Sequence, residues 1–260
     1  MKLGVNIDHI AVLREARRVN DPDPLQAIWI SQRAGADQIT IHLREDRRHI
    51  QDADAKNIIE FSPLPVNLEC AMSEEIIDFV CRYRPHRATI VPEKREEVTT
   101  EGGLDVIGER ERLTQVIERL HDAGVEVSLF IDIDKRSLKV ASEVGADWVE
   151  FHTGKYANIF AMLYGNLSRT DYSIKELELP RDELERVLNR ELNRLYKLSK
   201  KAWKMGIRVA AGHGLNYQNV SNIAEIDFIE ELNIGQSIVA RSVFTGLERA
   251  IIDMKVAIDG

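Results

Sequence analysis

Short apolar runs of strand length recur along the chain, separated by stretches whose apolar residues keep helical spacing. The runs lie at Leu3–Ile7, within Gly35–His42, at Pro65–Glu69 and Ala88–Val91, within Gly124–Asp132, Gly145–His152 and Gly206–His213, and at Phe228–Asn233. Helical spacing covers Leu25–Ala34, Asp54–Phe61, Ser73–Tyr83, Arg110–Ala123, Leu138–Val144, Arg181–Met205, Asn219–Ala224 and Ser237–Ile258. Two segments are near copies: Gly35-Ala36-Asp37-Gln38-Ile39-Thr40-Ile41-His42 and Gly145-Ala146-Asp147-Trp148-Val149-Glu150-Phe151-His152. In each, a glycine closes a helical stretch and a β-rich run follows, which is the chemistry of a helix end leading into a strand. Eight strands alternating with eight helices predict parallel strands joined by crossover helices. That many units in 260 residues has the size of a (β/α)8 (TIM) barrel of class α/β. An open doubly wound sheet would carry a glycine-rich phosphate loop after strand 1, whereas here strand 1 runs into Asn6-Ile7-Asp8-His9. No Pro/Gly/Ser-rich linker divides the chain, so residues 1–260 are expected to form one domain. Pro92–Asp105 is long enough for a lid. Lys155–Arg190 reads as a long insertion after strand 6, and Arg181–Lys201 as a solvated or subunit-contacting surface helix.

Composition narrows the functional classes. The hydrophobic share of 44% excludes a disordered chain, and the net charge of −8 argues against nucleic-acid or anionic-membrane partners, which need a basic face. No apolar run approaches the roughly 20 residues that span a bilayer. Two cysteines, Cys70 and Cys81, form no CxxC motif or disulfide framework and suit a reducing cytoplasm.

In the barrel reading, the C-terminal strand ends hold the chemistry. Five of the seven histidines (His9, His42, His49, His152 and His213) fall on those ends. Strand alternation puts Thr40, His42 and Arg44 on the inward face of strand 2, Asn67 and Glu69 on that of strand 3, and Trp148, Glu150 and His152 on that of strand 6. His42, Glu69, Glu150 and His152 therefore converge, and carboxylates beside imidazoles suit proton transfer near neutrality. Any one of them alone could merely satisfy the rim. Two anion sites are expected. One is the cationic run Arg44-Glu45-Asp46-Arg47-Arg48-His49, where a solvated charge run competes for Arg47 and Arg48. The other comprises Gly212-His213-Gly214 and Asn233-Ile234-Gly235-Gln236-Ser237, whose backbone amides and following helix can cradle phosphate. They imply two phosphorylated substrates or one bisphosphate. A metal is disfavoured: there is no HExxH or strand-1 His-x-His, and Asp132 and Asp134 read more simply as helix capping. A Schiff-base aldolase or lyase using Lys94 or Lys155 is the alternative, although neither lysine lies on a strand where burial would depress its pKa. Cys70 adjoins Glu69 but points away from it.

Long ungapped motifs then suggest a family. Gly4-Val5-Asn6-Ile7-Asp8-His9, His42-Leu43-Arg44-Glu45-Asp46-Arg47-Arg48-His49, Asn67-Leu68-Glu69, Thr99-Thr100-Glu101-Gly102-Gly103, His152-Thr153-Gly154, Gly212-His213-Gly214 and Asn233-Ile234-Gly235 closely resemble the pyridoxine 5′-phosphate synthase family. The resemblance runs from residue 3 to about residue 256. It implies a TIM barrel and a transferase-type synthase of vitamin B6 biosynthesis, without metal or organic cofactor. The reaction condenses 1-deoxy-D-xylulose 5-phosphate with 3-amino-2-oxopropyl phosphate. By the same resemblance, His42 and Glu69 are proton acceptors, His213 a proton donor and Glu150 the residue that stabilises the transition state. Asp8, His9, Arg44, His49 and Thr99 match positions holding the deoxyxylulose phosphate. Asn6, Arg17, Gly214, Gly235 and Gln236 match those holding the amino-ketone phosphate, with Arg17 reaching in from a neighbouring subunit. The resemblance thus also implies a cytoplasmic homo-octamer, a tetramer of dimers. Gln236 stands where many members have His.

Overall fold

The structure, a computed structural model, describes residues 1–93 and 102–260. The parallel strands β1 (Lys2–Asn6), β2 (Gln38–His42), β3 (Val66–Cys70), β4 (Arg87–Ile90), β5 (Glu126–Ile131), β6 (Trp148–His152), β7 (Arg208–Gly212) and β8 (Glu231–Ile234) follow one another in chain order. β8 pairs with β1 through Leu3↔Leu232 and Gly4↔Asn233, which closes the barrel. Around it lie α1 (Asp8–Glu15), α2 (Pro24–Arg33), α3 (Asp52–Phe61), α4 (Glu74–Tyr83), α5 (Arg110–Asp122), α6 (Lys135–Glu143), α7 (Gly154–Tyr164), α8 (Arg181–Lys204), α9 (Ser221–Ala224), α10 (Gln236–Thr245) and α11 (Leu247–Asp259). The (β/α)8 architecture is the one the alternation predicts.

The repeated glycines act as read. Gly35 and Gly145 hold φ of +87° and +84° just past α2 and α6, where a side chain would be strained. After α4 the left-handed position falls instead to Arg84, φ +52°, so that helix end carries no glycine signal.

Three expectations need correction. Asp8 and His9 open α1 rather than end a strand, because the Asn6 side chain accepts from the Asp8 amide and starts a helix at once. The helix expected over Ser237–Ile258 is two helices, broken at Gly246, whose φ of +79° and ψ of +151° lie outside the helical region. The count of eight helices is therefore too low. In the segment after β6, α7 fills the first part. It was not legible as a helix because Tyr156, Ala157, Ile159, Met162 and Leu163 bury several faces at once, leaving little amphipathic contrast. Two 3-10 turns, Leu167–Arg169 and Lys175–Leu177, lead on to α8. α8 buries Leu184, Leu188, Leu195 and Leu198 along one stripe and keeps most of its charges outside, Glu191 being buried where it pairs with Lys155.

Apolar side chains such as Ile39, Ile41, Leu43, Leu68 and Val149 fill the layer between strands and helices. The barrel lumen is polar. Gln38, Thr40, Asn67, Arg87, Thr89, Ser128, Glu150, Glu231 and Asn233 are all buried in the strands. Arg87 pairs with Glu231, and the Trp148 ring has the guanidinium carbons of Arg87 and Arg208 at 4.3 and 3.9 Å from its centroid.

Gly145→Ala is expected to destabilise the protein by about 1–2 kcal/mol, read as a lowered urea midpoint at unchanged slope. A Cβ there would meet nothing within 4 Å, so the cost is purely one of backbone conformation.

Candidate active site

The C-terminal strand ends bring nearly all the sequence-derived residues to one mouth of the barrel. On the β1–β4 side, the Asp8 carboxylate accepts from the His42 amide at 2.8 Å and from Asn6 Nδ2 at 2.9 Å, which ties α1 to β2. His42 is buried between two carboxylates. Its Nε2 lies 2.8 Å from Glu93 Oε1 and its Nδ1 3.9 Å from Glu69 Oε2. Burial alone would push Glu93 up, but the hydrogen bond and charge of His42, the Glu45 amide and Arg44 outweigh it and hold Glu93 below the usual carboxylate range. An ionised Glu93 requires Nε2 to carry the proton, which leaves Nδ1 as the basic nitrogen facing Glu69. Glu69 itself is pushed well up, first by burial and then by the charges of Glu150 and Asp8.

His49 stands edge-on to His42, with ring centroids 6.1 Å apart. Its Nδ1 accepts from the Ile50 amide, so Nε2 is its donor nitrogen, and burial depresses its pKa. Arg44 is buried beside Asp46. Arg47 is engaged by Asp52, Glu75 and the Arg44 and Glu45 carbonyls, so it serves the fold of its loop. Arg48 pairs with Asp46. Of that run, Arg44 and His49 are the members buried in the mouth.

On the β5–β8 side, Glu150 accepts from Asn233 Nδ2 at 2.7 Å, and burial raises its pKa to about 7. His213 follows β7 with a left-handed φ of +79°, a strained backbone for a histidine. The Thr153 hydroxyl fixes that turn, lying 2.7 Å from the carbonyl oxygens of both Gly212 and His213, between which its single proton is shared. The His213 ring lies 4.7 Å from that of His152, and burial, then His152, lower its pKa to about 4. His152 in turn reaches Asp132 through Nδ1 at 3.4 Å. Asp134, not Asp132, caps α6. Gly214 also has positive φ, and Ser237 Oγ donates to the Leu215 carbonyl, which joins this turn to the first turn of α10. There Gly235 packs on Asn6 so closely that a Cβ would sit 2.8 Å from the Asn6 Cβ. The first-turn amides of α10, beginning at Gln236, have no in-helix acceptors and suit an anion.

Two side-chain nitrogens in this mouth, His9 Nδ1 and His152 Nε2, are buried without a hydrogen-bond partner. Buried polar atoms of this kind mark positions where a polar ligand compensates. Arg17 stands apart: it is exposed, beyond the end of α1. Thr99, Lys94 and most of the expected lid lie outside the described residues. Lys155 pairs with Glu191 at 2.6 Å on the outer layer, away from any apolar pocket. Cys70 is buried on the helix-facing side, and burial raises its thiol pKa. Among the described residues no group of three or more His, Cys, Asp or Glu is placed to hold a metal ion, and no helix is long and apolar enough to cross a membrane.

The sequence pattern places Asn233 in an anion cradle and Asp132 at a helix cap and gives Glu93 and Arg87 no role; the structure pairs Asn233 with Glu150, Asp132 with His152, Glu93 with His42 and Arg87 with Glu231. The available signal was parity: Arg87 and Thr89 share the inward face of β4.

Residues 3–260 match the sequence model of the family described as "Pyridoxal phosphate biosynthesis protein PdxJ". The chain belongs to the PdxJ family. Its relatives include proteins named pyridoxine 5′-phosphate synthase from Sulfurovum sp. (strain NBC37-1) and Aliarcobacter butzleri. The first is 66% identical over 98% of this chain and 99% of the relative, the second 62% identical over 98% of each. A third, from Nautilia profundicola, is 55% identical over the full length of both. Among solved structures, monomers of phosphoribosylanthranilate isomerase from Thermotoga maritima superpose with a TM-score of 0.58 at 11% identity, covering 100% of this chain and 99% of that one. That likeness reports the fold alone. A PdxJ chain is an enzyme of vitamin B6 biosynthesis.

Carbon-13 NMR of glutamate-labelled free enzyme is expected to show one carboxyl midpoint near 7 that disappears in Glu150→Gln. The His213 ring is expected to titrate near 4, so it is neutral at pH 7 and gains a proton only in acid. An ordinary midpoint for both groups contradicts the burial described.

Proposed function

We propose that this PdxJ chain is a pyridoxine 5′-phosphate synthase that condenses 1-deoxy-D-xylulose 5-phosphate with 3-amino-2-oxopropyl phosphate, giving pyridoxine 5′-phosphate, inorganic phosphate and water. The observation that carries the reading is that His42 lies beside Glu69, that Glu150 acts electrostatically on Glu69, and that His213 follows β7 at the same end of the barrel with a lowered proton affinity. The identity to proteins bearing that name supports it.

In this reading Arg44, His49, Asp8, His9 and Thr99 hold the deoxyxylulose phosphate. Asn6, Gly214, Gly235 and Gln236 hold the amino-ketone phosphate, largely through backbone amides, so the exchange of His for Gln236 alters affinity more than chemistry. The substrate amine attacks the substrate ketone, so the imine forms between substrates and asks no lysine of the enzyme. His42, whose Nδ1 is the acceptor because Glu93 holds Nε2–H, and Glu69, whose carboxylate burial makes more basic, accept protons. His213 donates. Burial keeps it neutral in the free enzyme, and a phosphate dianion close by favours its charged form. Glu150 stabilises charge in the transition state. Closure of Pro92–Asp105 would exclude water from the imine. The same reading takes residues 1–260 as one domain, cytoplasmic and without metal or organic cofactor, classes the enzyme as a transferase, and assembles it as a tetramer of dimers in which Arg17 serves a neighbouring site.

Purified protein mixed with both phosphorylated substrates is expected to form the pyridoxine chromophore. His42→Ala, Glu69→Gln and His213→Ala are each expected to lower kcat by about 10²–10⁴-fold while remaining folded. Absence of product with wild type contradicts the proposal. Arg17→Ala and His42→Ala, each impaired alone, are expected to recover activity when their subunits are mixed, because a hybrid interface rebuilds one intact site. No recovery in verified hybrids contradicts the shared-site arrangement.

A further inference from the structure

The lumen beneath the site contains one group that cannot change its role. A guanidinium has donors only and keeps its charge. Arg87 is 3% exposed, and its hydrogen bonds run to Glu231, to Gln38 Oε1 at 3.0 Å and to Asn67 Oδ1 at 3.3 Å. Because Arg87 takes the carbonyl end of Gln38, the amide end must face the other way. Gln38 Nε2 lies 2.9 Å from Glu231 Oε1, 3.5 Å from Thr40 Oγ1 and 3.4 Å from Asn233 Oδ1. The Thr40 hydroxyl lies 3.2 Å from the same Asn233 Oδ1 and donates to it. Two donors on that atom leave only the amide end of Asn233 to face Glu150, and Nδ2 is 2.7 Å from Glu150 Oε2.

We propose that Arg87, Gln38, Thr40 and Asn233 are positioning residues: a one-way chain of hydrogen bonds that begins at Arg87 fixes which end of the Asn233 side chain is presented to Glu150. A carboxamide is nearly symmetric in shape, so packing alone does not choose its orientation. With Asn233 turned over, Oδ1 would face the carboxylate, and an attraction would become a repulsion. The chain crosses the barrel from β4 through β2 to β8 and reaches β6, so closure of the sheet is what brings its members together.

The groups facing Glu150 are few. Asn233 and Glu231 come from β8, Arg87 from β4 and Glu69 from β3, while the β5 and β7 positions aligned with Glu150 are the uncharged Phe130 and Ala210. Asn233 and Arg87 favour the charged carboxylate, and burial and Glu231 oppose it. Loss of a donated hydrogen bond therefore raises the Glu150 midpoint.

The inference rests on the reading of Glu150 as a participant in the reaction, but its test reads the carboxylate directly. In glutamate-labelled protein, Asn233→Leu is expected to move the Glu150 midpoint up by about one unit, the size of one hydrogen bond to a charged group. Gln38→Met and Thr40→Val, neither of which touches Glu150, are expected to move it in the same direction; Gln38→Met also removes contacts to Arg87 and Glu231, whereas Thr40→Val removes only those to Gln38 and Asn233. In assays, the acid limb of the kcat profile is expected to follow, with KM little changed. Thr40→Val alters least and decides the matter if the larger changes unfold the protein. A Glu150 midpoint that stays at the wild-type value in folded Gln38→Met and Thr40→Val overturns the proposal, whatever the activity. Midpoints that move as expected in a protein without synthase activity uphold the chain of orientation and defeat the functional reading instead.

Discussion

Closing eight parallel strands with β8 against β1 forces every second side chain into the lumen, and in this protein most of those side chains are polar. TIM-barrel interiors are ordinarily packed with branched apolar residues. A polar interior is tolerable only if each group finds a partner, since an unpaired buried polar group costs several kcal/mol. The Arg87–Glu231 pair, the Trp148 ring between two guanidiniums, the amides of Gln38 and Asn233 and the Asn67 carbonyl oxygen meet most of that demand together, while Asn67 Nδ2 and Ser128 Oγ stay buried without a partner. Such a layer is stiff because no member can move without orphaning another. The candidate site rests on it, so the demand for internal pairing also supplies the rigidity that the proposed acid–base chemistry needs.

Above that layer, similar side chains are driven to different proton affinities by their surroundings. Glu93 is held ionised by His42 and the Glu45 amide, whereas Glu69 and Glu150 are pushed upward by burial and by neighbouring negative charge. His213 is pushed the other way by burial and by His152. One cavity thus offers an ionised carboxylate, two carboxyl groups of raised proton affinity and a neutral imidazole. Condensation, dehydration and ring closure each ask for a proton to be removed or supplied, and separated affinities let different groups answer.

How much of this the chain discloses on inspection depends on distance along it. Gly35 and Gly145 reveal their helix ends because the conformation is local and few residues tolerate it. Parity within β2, β3 and β6 is equally local, which is why His42, Glu69 and Glu150 could be assigned inward. α1 was overlooked because its start depends on a two-residue turn from Asn6 to Asp8, and α7 because it is buried on several sides. The partners of the site residues were beyond reach for a different reason. Glu150 and Asn233 are 83 residues apart, and Thr40 and Asn233 are 193 apart. Only a closed barrel, with its register set, decides that those side chains touch.

Some of the most confining positions carry no functional group. A methyl on Gly4 would fall 2.2 Å from Asn233 Oδ1, and one on Gly212 would fall 2.3 Å from Glu150 Oε1. Both glycines have ordinary backbone angles, so what they contribute is empty volume. The berth of the carboxamide and its carboxylate is carved by what these two residues omit. Genetic lesions that silence this enzyme should therefore include the smallest possible enlargement, a single added carbon, at places where no chemistry is written.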